Sequence, residues 1–415
     1  MGSVRVVVLG GSAIATPGLA EALAGGPQQG RKRPIELVLV GRDADKLRKV
    51  AHASRMLAGD DPLLIVSEAV DAEAALEGAD FVINQVRVGG LEARAFDESF
   101  CHDLGLPGEE TVGPGGFANA SRTIPVVLHY ARMMERICPD AIMLSFANPS
   151  SLVQYAVTRY TCVHAIGLCD GPVHLIAAIA KALGTAPEEL GVDYLGMHHF
   201  GWVTGVWRNG QDMLPQALAK AAQIAPEVEP TIVQAIGALP GAYLNYVFHP
   251  DRMLAAQRKM GKRTRAEELL DLQDEILDDY ARSLASGDKP TALARRRARW
   301  YDAIIAPVLL ALIESQARRF VLNVVNGQVI PWLPIEAVVE VPTIIGGGRL
   351  QPLATGPVPA DVKALVQANC IYEMLAVEAI AERDRAKALR ALLINPIIHT
   401  YDQAAQVLER AWARG

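Results

Sequence analysis

The first 170 residues repeat one pattern: a short apolar run, then glycine, asparagine or charged turn chemistry, then a helical stretch. The runs are Val4–Leu9, Glu36–Val40, Leu63–Ser67, Phe81–Val86, Ala141–Phe146 and His164–Leu168. Strands separated by helical stretches pair in parallel, with the helices as crossovers. Six such units predict an α/β protein whose residues 1–170 form a Rossmann-like, doubly wound parallel sheet of dinucleotide-binding size.

From about Pro172 the pattern changes to long helical segments. One is Arg265–Ser283, where Leu269, Leu270, Leu272, Ile276 and Leu277 recur at helical spacing. Short strands are expected around Tyr194–His199 and Phe320–Val325. Residues 171–415 are therefore expected to form a second, mixed and mostly helical α+β domain. The stretch from Gly25 to Pro34 reads as a loop between the first helix and the second strand.

Composition narrows the partners. Of 415 residues, 51% are hydrophobic, and 46 acidic against 40 basic side chains leave a net charge of -6. No basic field is available to hold a nucleic-acid backbone. The apolar run Val6–Leu9 stops at Gly10-Gly11. Nothing approaches roughly 20 unbroken apolar residues, so neither a signal peptide nor a membrane partner is expected. Five cysteines, an odd count spread over a long chain, fit reduced thiols, and a cytoplasmic setting is expected.

The chemistry begins at Gly10, Gly11 and Ser12, a glycine turn after the first strand, with Thr16-Pro17 opening a helix whose free N–H groups suit a pyrophosphate. With Gly10 first in the three-glycine fingerprint, Ser12 and Ala15 hold the other two places; both are small, but Ser12 tolerates fewer backbone angles. After the second strand, where an acid normally meets the adenosine ribose, stand Gly41-Arg42-Asp43. Three readings stay open: Arg42 on a 2′-phosphate, favouring NADP; Asp43 on the ribose; or an ordinary charged helix start.

Past the fourth strand come Asn84-Gln85-Val86-Arg87-Val88-Gly89-Gly90 with Arg94, then Gly108-Glu109-Glu110-Thr111-Val112-Gly113-Pro114-Gly115-Gly116. Asn148-Pro149, Gly167-Leu168-Cys169-Asp170-Gly171-Pro172 and His198-His199-Phe200-Gly201-Trp202 follow. In this combination and order the motifs resemble glycoside hydrolase family 4. The resemblance runs through almost the whole chain, as far as Ala388, Leu389, Leu392, Asn395 and Pro396.

That resemblance implies hydrolysis of glycosides, often 6-phosphorylated, with NAD and a divalent metal, usually Mn²⁺. Family 4 is an NAD-dependent exception to the usual pair of catalytic carboxylates. The implied course is oxidation at C3 of the sugar, proton removal at C2, elimination at C1, addition of water and re-reduction. Cys169 and His199 correspond to the metal ligands, Tyr243 to the base and Glu110 to the acid that raises its basicity. Tyr246 is the alternative base. Arg94, Asn148 and Arg265 correspond to substrate-binding positions, with Arg265 the candidate for a 6-phosphate. The other reading of Arg265 is a helix-surface arginine among Arg258, Lys259, Lys262 and Arg263. The resemblance further implies that residues 171–415 carry metal, substrate and subunit contacts, and homodimers or homotetramers, common in the family, are expected here.

Anomeric preference is where the resemblance divides. Asp170 matches the general acid of phospho-α-glucosidases, whereas Thr264–Glu268, Val321–Gly327 and Val338–Pro342 look more like the 6-phospho-β-glucosidase branch, which is the closer overall. His198 stands where the family usually has asparagine and Glu109 where it has glutamine, which keeps a uronide or an unphosphorylated glycoside open as substrate. Arg295-Arg296-Arg297 with Arg299 has no motif role and reads as a solvated helix face or subunit contact. Rival classes are a 2-hydroxyacid dehydrogenase and a nucleotide-sensing protein without catalysis; the first needs an arginine–histidine–aspartate set and no metal thiolate.

Overall fold

Six strands of the first half form the expected parallel sheet: β1 (Val4–Leu9), β2 (Ile35–Val40), β3 (Leu64–Ala69), β4 (Phe81–Asn84), β5 (Ile142–Ser145) and β6 (His164–Gly167). The computed structural model describes residues 2–25, 31–259, 263–296, 298–347 and 349–412. Residues 26–30 of the predicted loop, and Lys262 and Arg297 of the basic clusters, lie outside them. Successive side chains of a strand point to opposite faces, and β1 shows why its run is apolar but for the half-buried Arg5. Val4, Val6 and Val8 pack with Leu19, Leu23 and Leu47 in one core, while Val7 and Leu9 pack with Leu76 and Met134 in the other. Each fully buried valine or leucine contributes roughly 1.5–3 kcal/mol.

In the second half, β7 (Gly191–Met197), β8 (Phe200–Arg208), β9 (Gln211–Asp212) and β10 (Leu239–Pro240) form a small antiparallel sheet. The next three strands, β11 (Arg318–Val325), β12 (Val338–Gly346) and β13 (Arg349–Pro352), return to the first sheet. There β11 pairs antiparallel with β6, Asn323 opposite Gly167. The sheet thus runs β13-β12-β11-β6-β5-β4-β1-β2-β3. Strand order reverses between β1 and β4, and open parallel sheets bind ligands in the crevice at the carboxyl ends of such a pair.

The observed β4 stops at Asn84, two residues before the predicted end; Gln85 N–H still donates to the Leu9 carbonyl (3.1 Å), and Gln85 and Val86 line this crevice. The helix Arg265–Ser286 begins with a Thr264/Glu267 capping box. It packs on the helices Ala44–Ala58 and Gly90–Ser99, bringing Leu269 and Gln273 over the crevice. Among the described residues one helix, Ala360–Glu382, is long and apolar enough to cross a membrane by length and composition. It carries buried Val362, Val366, Cys370, Tyr372 and Val377, and packs against Gly113–Ile137, Ser150–Tyr160 and Arg385–Ile394, as a core helix does.

Candidate active site

The nucleotide end of the cleft is built by backbone proximity. Gly10 has φ +81°, and a Cβ there would lie 2.9 Å from the carbonyl oxygen of Gln85. Only glycine lets β1 and β4 turn off so close together. Gln85 ties the turn down: its Nε2 donates to Thr16 Oγ1 (2.9 Å), and Tyr301 donates to its Oε1 (2.8 Å). Gly11 N–H donates to the Val40 carbonyl at 2.7 Å. Ser12 and Gly41 are complementary departures, since a Cβ on Gly41 would lie 2.9 Å from Ser12 Cβ and Oγ. Asp43 caps its own helix, accepting from the N–H groups of Asp45 and Lys46 at 3.0 Å each. Arg42 lines the cleft, which has a volume of about 360 Å³ and extends past Gly10 and Ser12 to Arg94 and Asn148. Its glycine cradle fits a dinucleotide.

At the far end, buried Glu110 lies between two guanidinium groups. Arg87 pairs with it, Arg94 Nη1 lies 2.8 Å from its Oε1, and Asn148 also bonds its carboxylate. Arg94 is held in turn by Glu98 at 2.6 Å. Burial acts to raise the Glu110 carboxyl, but the two arginines outweigh it and hold the group below its usual range. The neighbouring Glu109 makes no ion pair among the described residues and is pushed up to about 7 by burial and by the Glu110 charge, against the opposing charge of Arg94. Glu109 accepts from Thr111 Oγ1 at 3.2 Å and from the Tyr246 hydroxyl at 3.3 Å. The acid bonded to a tyrosine is thus Glu109, while Glu110 is engaged by arginines.

Behind this network the ligand atoms of Cys169, His198 and His199 all lie within 4.8 Å of one another. Both histidines form the turn between β7 and β8, and His199 has φ +62°, a left-handed conformation uncommon outside glycine. Thr111 Oγ1 fixes that ring from 2.8 Å at Nδ1. His198 stacks on one side of it (centroids 3.8 Å) and Tyr243 on another (3.6 Å). Burial lowers both imidazoles, His198 to about 3, which keeps them in the neutral form that binds metals. Among the described residues His198 Nδ1 is buried without a hydrogen-bond partner.

Burial, with Glu340 and Asp170 nearby, pushes the Cys169 thiol well up, and the Gly171 N–H donates to its sulfur at 3.3 Å. Glu340 accepts from Tyr194 (2.7 Å) and Asn323 (3.0 Å), so the strands that join the two halves wall the thiol in. One sulfur and two imidazoles form a donor set that fits a divalent transition metal. Burial likewise raises the Tyr243 hydroxyl well above its usual range, helped by Glu109, Cys169 and Glu110.

Two candidate residues stand apart from this cluster or at its edge. Arg265 is exposed and bonds Glu268 of its own helix at 2.7 Å. Asp170, next to Cys169, lies 3.1 Å from His174 Nε2 one turn along the following helix. Arg296, of the run that reads in sequence as a solvated helix face or subunit contact, is instead half-buried in the cleft, 4.7 Å over the Trp300 ring. Burial and the charges of Arg94, Arg265 and Arg87 lower it to about 10. The available signal was Trp300, an aromatic ring four residues on that can receive a guanidinium over its face.

Residues 6–185 match the model of the family 4 glycosyl hydrolases, and residues 194–398 match that of the family's C-terminal domain. The chain is 29% identical over 419 residues to a probable 6-phospho-beta-glucosidase of Bacillus subtilis (strain 168), covering 98% of this chain and 95% of that protein. It is 28% identical over 428 residues to a 6-phospho-alpha-glucosidase of Leptotrichia buccalis, covering 97% and 96%. A 6-phospho-beta glucosidase from Thermotoga maritima, solved with manganese, NAD+ and glucose-6-phosphate, superposes with a TM-score of 0.87 at 26% identity over 99% of this chain and 98% of that one. With both family models matched in succession and relatives aligned over nearly their full lengths, this chain belongs to glycoside hydrolase family 4.

Proposed function

We propose that this protein hydrolyses 6-phosphorylated glucosides, β-linked ones first, using a nicotinamide dinucleotide and Mn²⁺ or another divalent metal. The observation that carries the reading is the Cys169–His198–His199 donor cluster stacked against Tyr243, beside a cleft that ends at Arg94 and Asn148. When bound, the dinucleotide supplies a hydride acceptor and donor, and the metal held by Cys169 and His199 supplies a Lewis acid for sugar oxygens. Tyr243 takes the proton from C2, with Tyr246 and its bonded Glu109 beside it. Asp170 gives a proton to the leaving oxygen. Arg94 and Asn148 orient the sugar, and Glu110 keeps both in place. The free thiols suit the reducing cytoplasm, and a homo-oligomer is the assembly that family membership favours.

A second reading, α-linked substrates, rests on Asp170 directly after Cys169. The test is cleavage of nitrophenyl 6-phospho-β-glucoside, its α-anomer, the unphosphorylated glucosides and a uronide, with and without nucleotide and Mn²⁺, under reducing conditions. Release from the β-phosphoglucoside that needs both additions supports the proposal. Release without nucleotide or metal overturns the mechanism, and preference for another substrate moves the assignment to that one.

A further inference from the structure

The nucleotide end of the cleft carries an inference about the cofactor that rests on the dinucleotide reading above. Two acids follow the strands that flank this end, and both are engaged as helix caps. Asp43 accepts from Asp45 N and Lys46 N, and Asp71 accepts from Glu73 N (2.9 Å) and Ala74 N (3.3 Å). At the position in front of Arg42 an acid has no room, because any side chain on Gly41 meets Ser12 at 2.9 Å. Asp45, one residue into the helix, is paired with Arg48 (2.6 Å) and Lys49 (2.7 Å). Among the described residues, the side chains lining the cleft include Arg42, Lys46, Arg87, Arg94 and Arg296 and no aspartate or glutamate.

A dinucleotide whose ribose bears a free 2′-hydroxyl is normally held there by a carboxylate, and one bearing a 2′-phosphate by an arginine. Here the carboxylate is missing from the cleft lining and the cations are present. Arg42 is exposed and makes no ion pair or side-chain hydrogen bond among the described residues. Among the described residues Lys46 Nζ reaches only the Gln273 side-chain oxygen, at 3.4 Å. Both are therefore available for a phosphate, and a planar guanidinium binds phosphate oxygens in pairs. We propose that the cleft takes a 2′-phosphorylated nicotinamide dinucleotide, NADP+, in preference to NAD+, with Arg42 and Lys46 holding the 2′-phosphate.

The test is calorimetric titration of the whole protein, without sugar or metal, with NADP+ and NAD+, and then with the fragments 2′,5′-ADP and 5′-AMP. NADP+ is expected to bind at least about tenfold more tightly than NAD+, with the same order for the fragments and the margin shrinking as salt is raised. Arg42→Ala should lower NADP+ affinity about tenfold more than NAD+ affinity, and Arg42→Lys should keep most of the preference. Thermal melting of each variant checks that it folds. Equal or tighter NAD+ binding, or equal loss for both dinucleotides in Arg42→Ala, overturns the proposal. Binding of neither dinucleotide overturns the dinucleotide reading itself, and this inference with it.

Discussion

The ring of Tyr243 lies flat against that of His199, centroids 3.6 Å apart and planes within 9°. The base candidate and a metal-ligand candidate are thus held as one unit, although 44 residues separate them in the chain. Tyr243→Phe keeps the stack and removes only the hydroxyl. Turnover should fall by roughly 10²- to 10⁴-fold with metal content unchanged. Loss of solvent deuterium incorporation at C2 of the product is the accompanying readout. Tyr246→Phe should cost far less, and the reverse order of losses would transfer the role to Tyr246.

The donor cluster predicts how metal is retained. Chelation should abolish cleavage and added Mn²⁺ should restore it. Cys169→Ser should weaken metal binding by more than about 100-fold, beyond what loss of an outer-shell partner costs. Metal content after dialysis, together with the sulfur-to-metal charge-transfer band of the Co²⁺ form, checks this independently of activity. A Cys169→Ser protein that keeps its metal would remove the thiolate from the site.

Buried Arg94 and Glu110 are predicted to be energetically coupled. Arg94→Met leaves the Glu110 carboxylate short of a partner where both side chains are at most 14% exposed, so stability should fall by about 3 kcal/mol. Adding Glu110→Gln to Arg94→Met should recover at least about 1 kcal/mol, measured as a double-mutant cycle in urea. Strict additivity would mean that the pair is not coupled.

One buried acid gives a pH prediction. Glu373 is raised to about 8, mainly by burial, against an ordinary 4.5, and Asn369 donates to it at 2.9 Å. Between those values the folded chain keeps a proton that the unfolded chain releases. Its contribution is therefore complete below about pH 4.5 and is lost as pH rises through about 8. Glu373→Gln should flatten the fall in stability between pH 5 and 8 by on the order of 3 kcal/mol relative to wild type. Urea unfolding at the two pH values decides it, and parallel pH profiles for the two proteins would contradict the shift.

The parallel-sheet core was legible because its signals are local. Apolar runs spaced by helical segments specify β1 to β6 within a few residues, and Thr16-Pro17 marks a helix start from adjacent positions alone. The order of the glycine, acid and cysteine motifs carried the family. Return of β11 to β6 was not legible, because a strand's partner depends on packing more than a hundred residues away and leaves no mark in its own period of two.

The same division applies to the site. The sequence by itself determined that a glycine turn, an arginine-rich segment, Cys169 and a histidine pair exist in this order, and that Gly41-Arg42-Asp43 ends the second strand. Only the tertiary structure decided which groups are engaged elsewhere: Asp43 by its own helix, Glu110 by Arg87 and Arg94, Arg265 by Glu268. It also placed Glu109 on Tyr246 and Arg296 in the cleft. A side chain's partner is set by which groups converge on it in the folded chain, and burial then penalises every charge left without one.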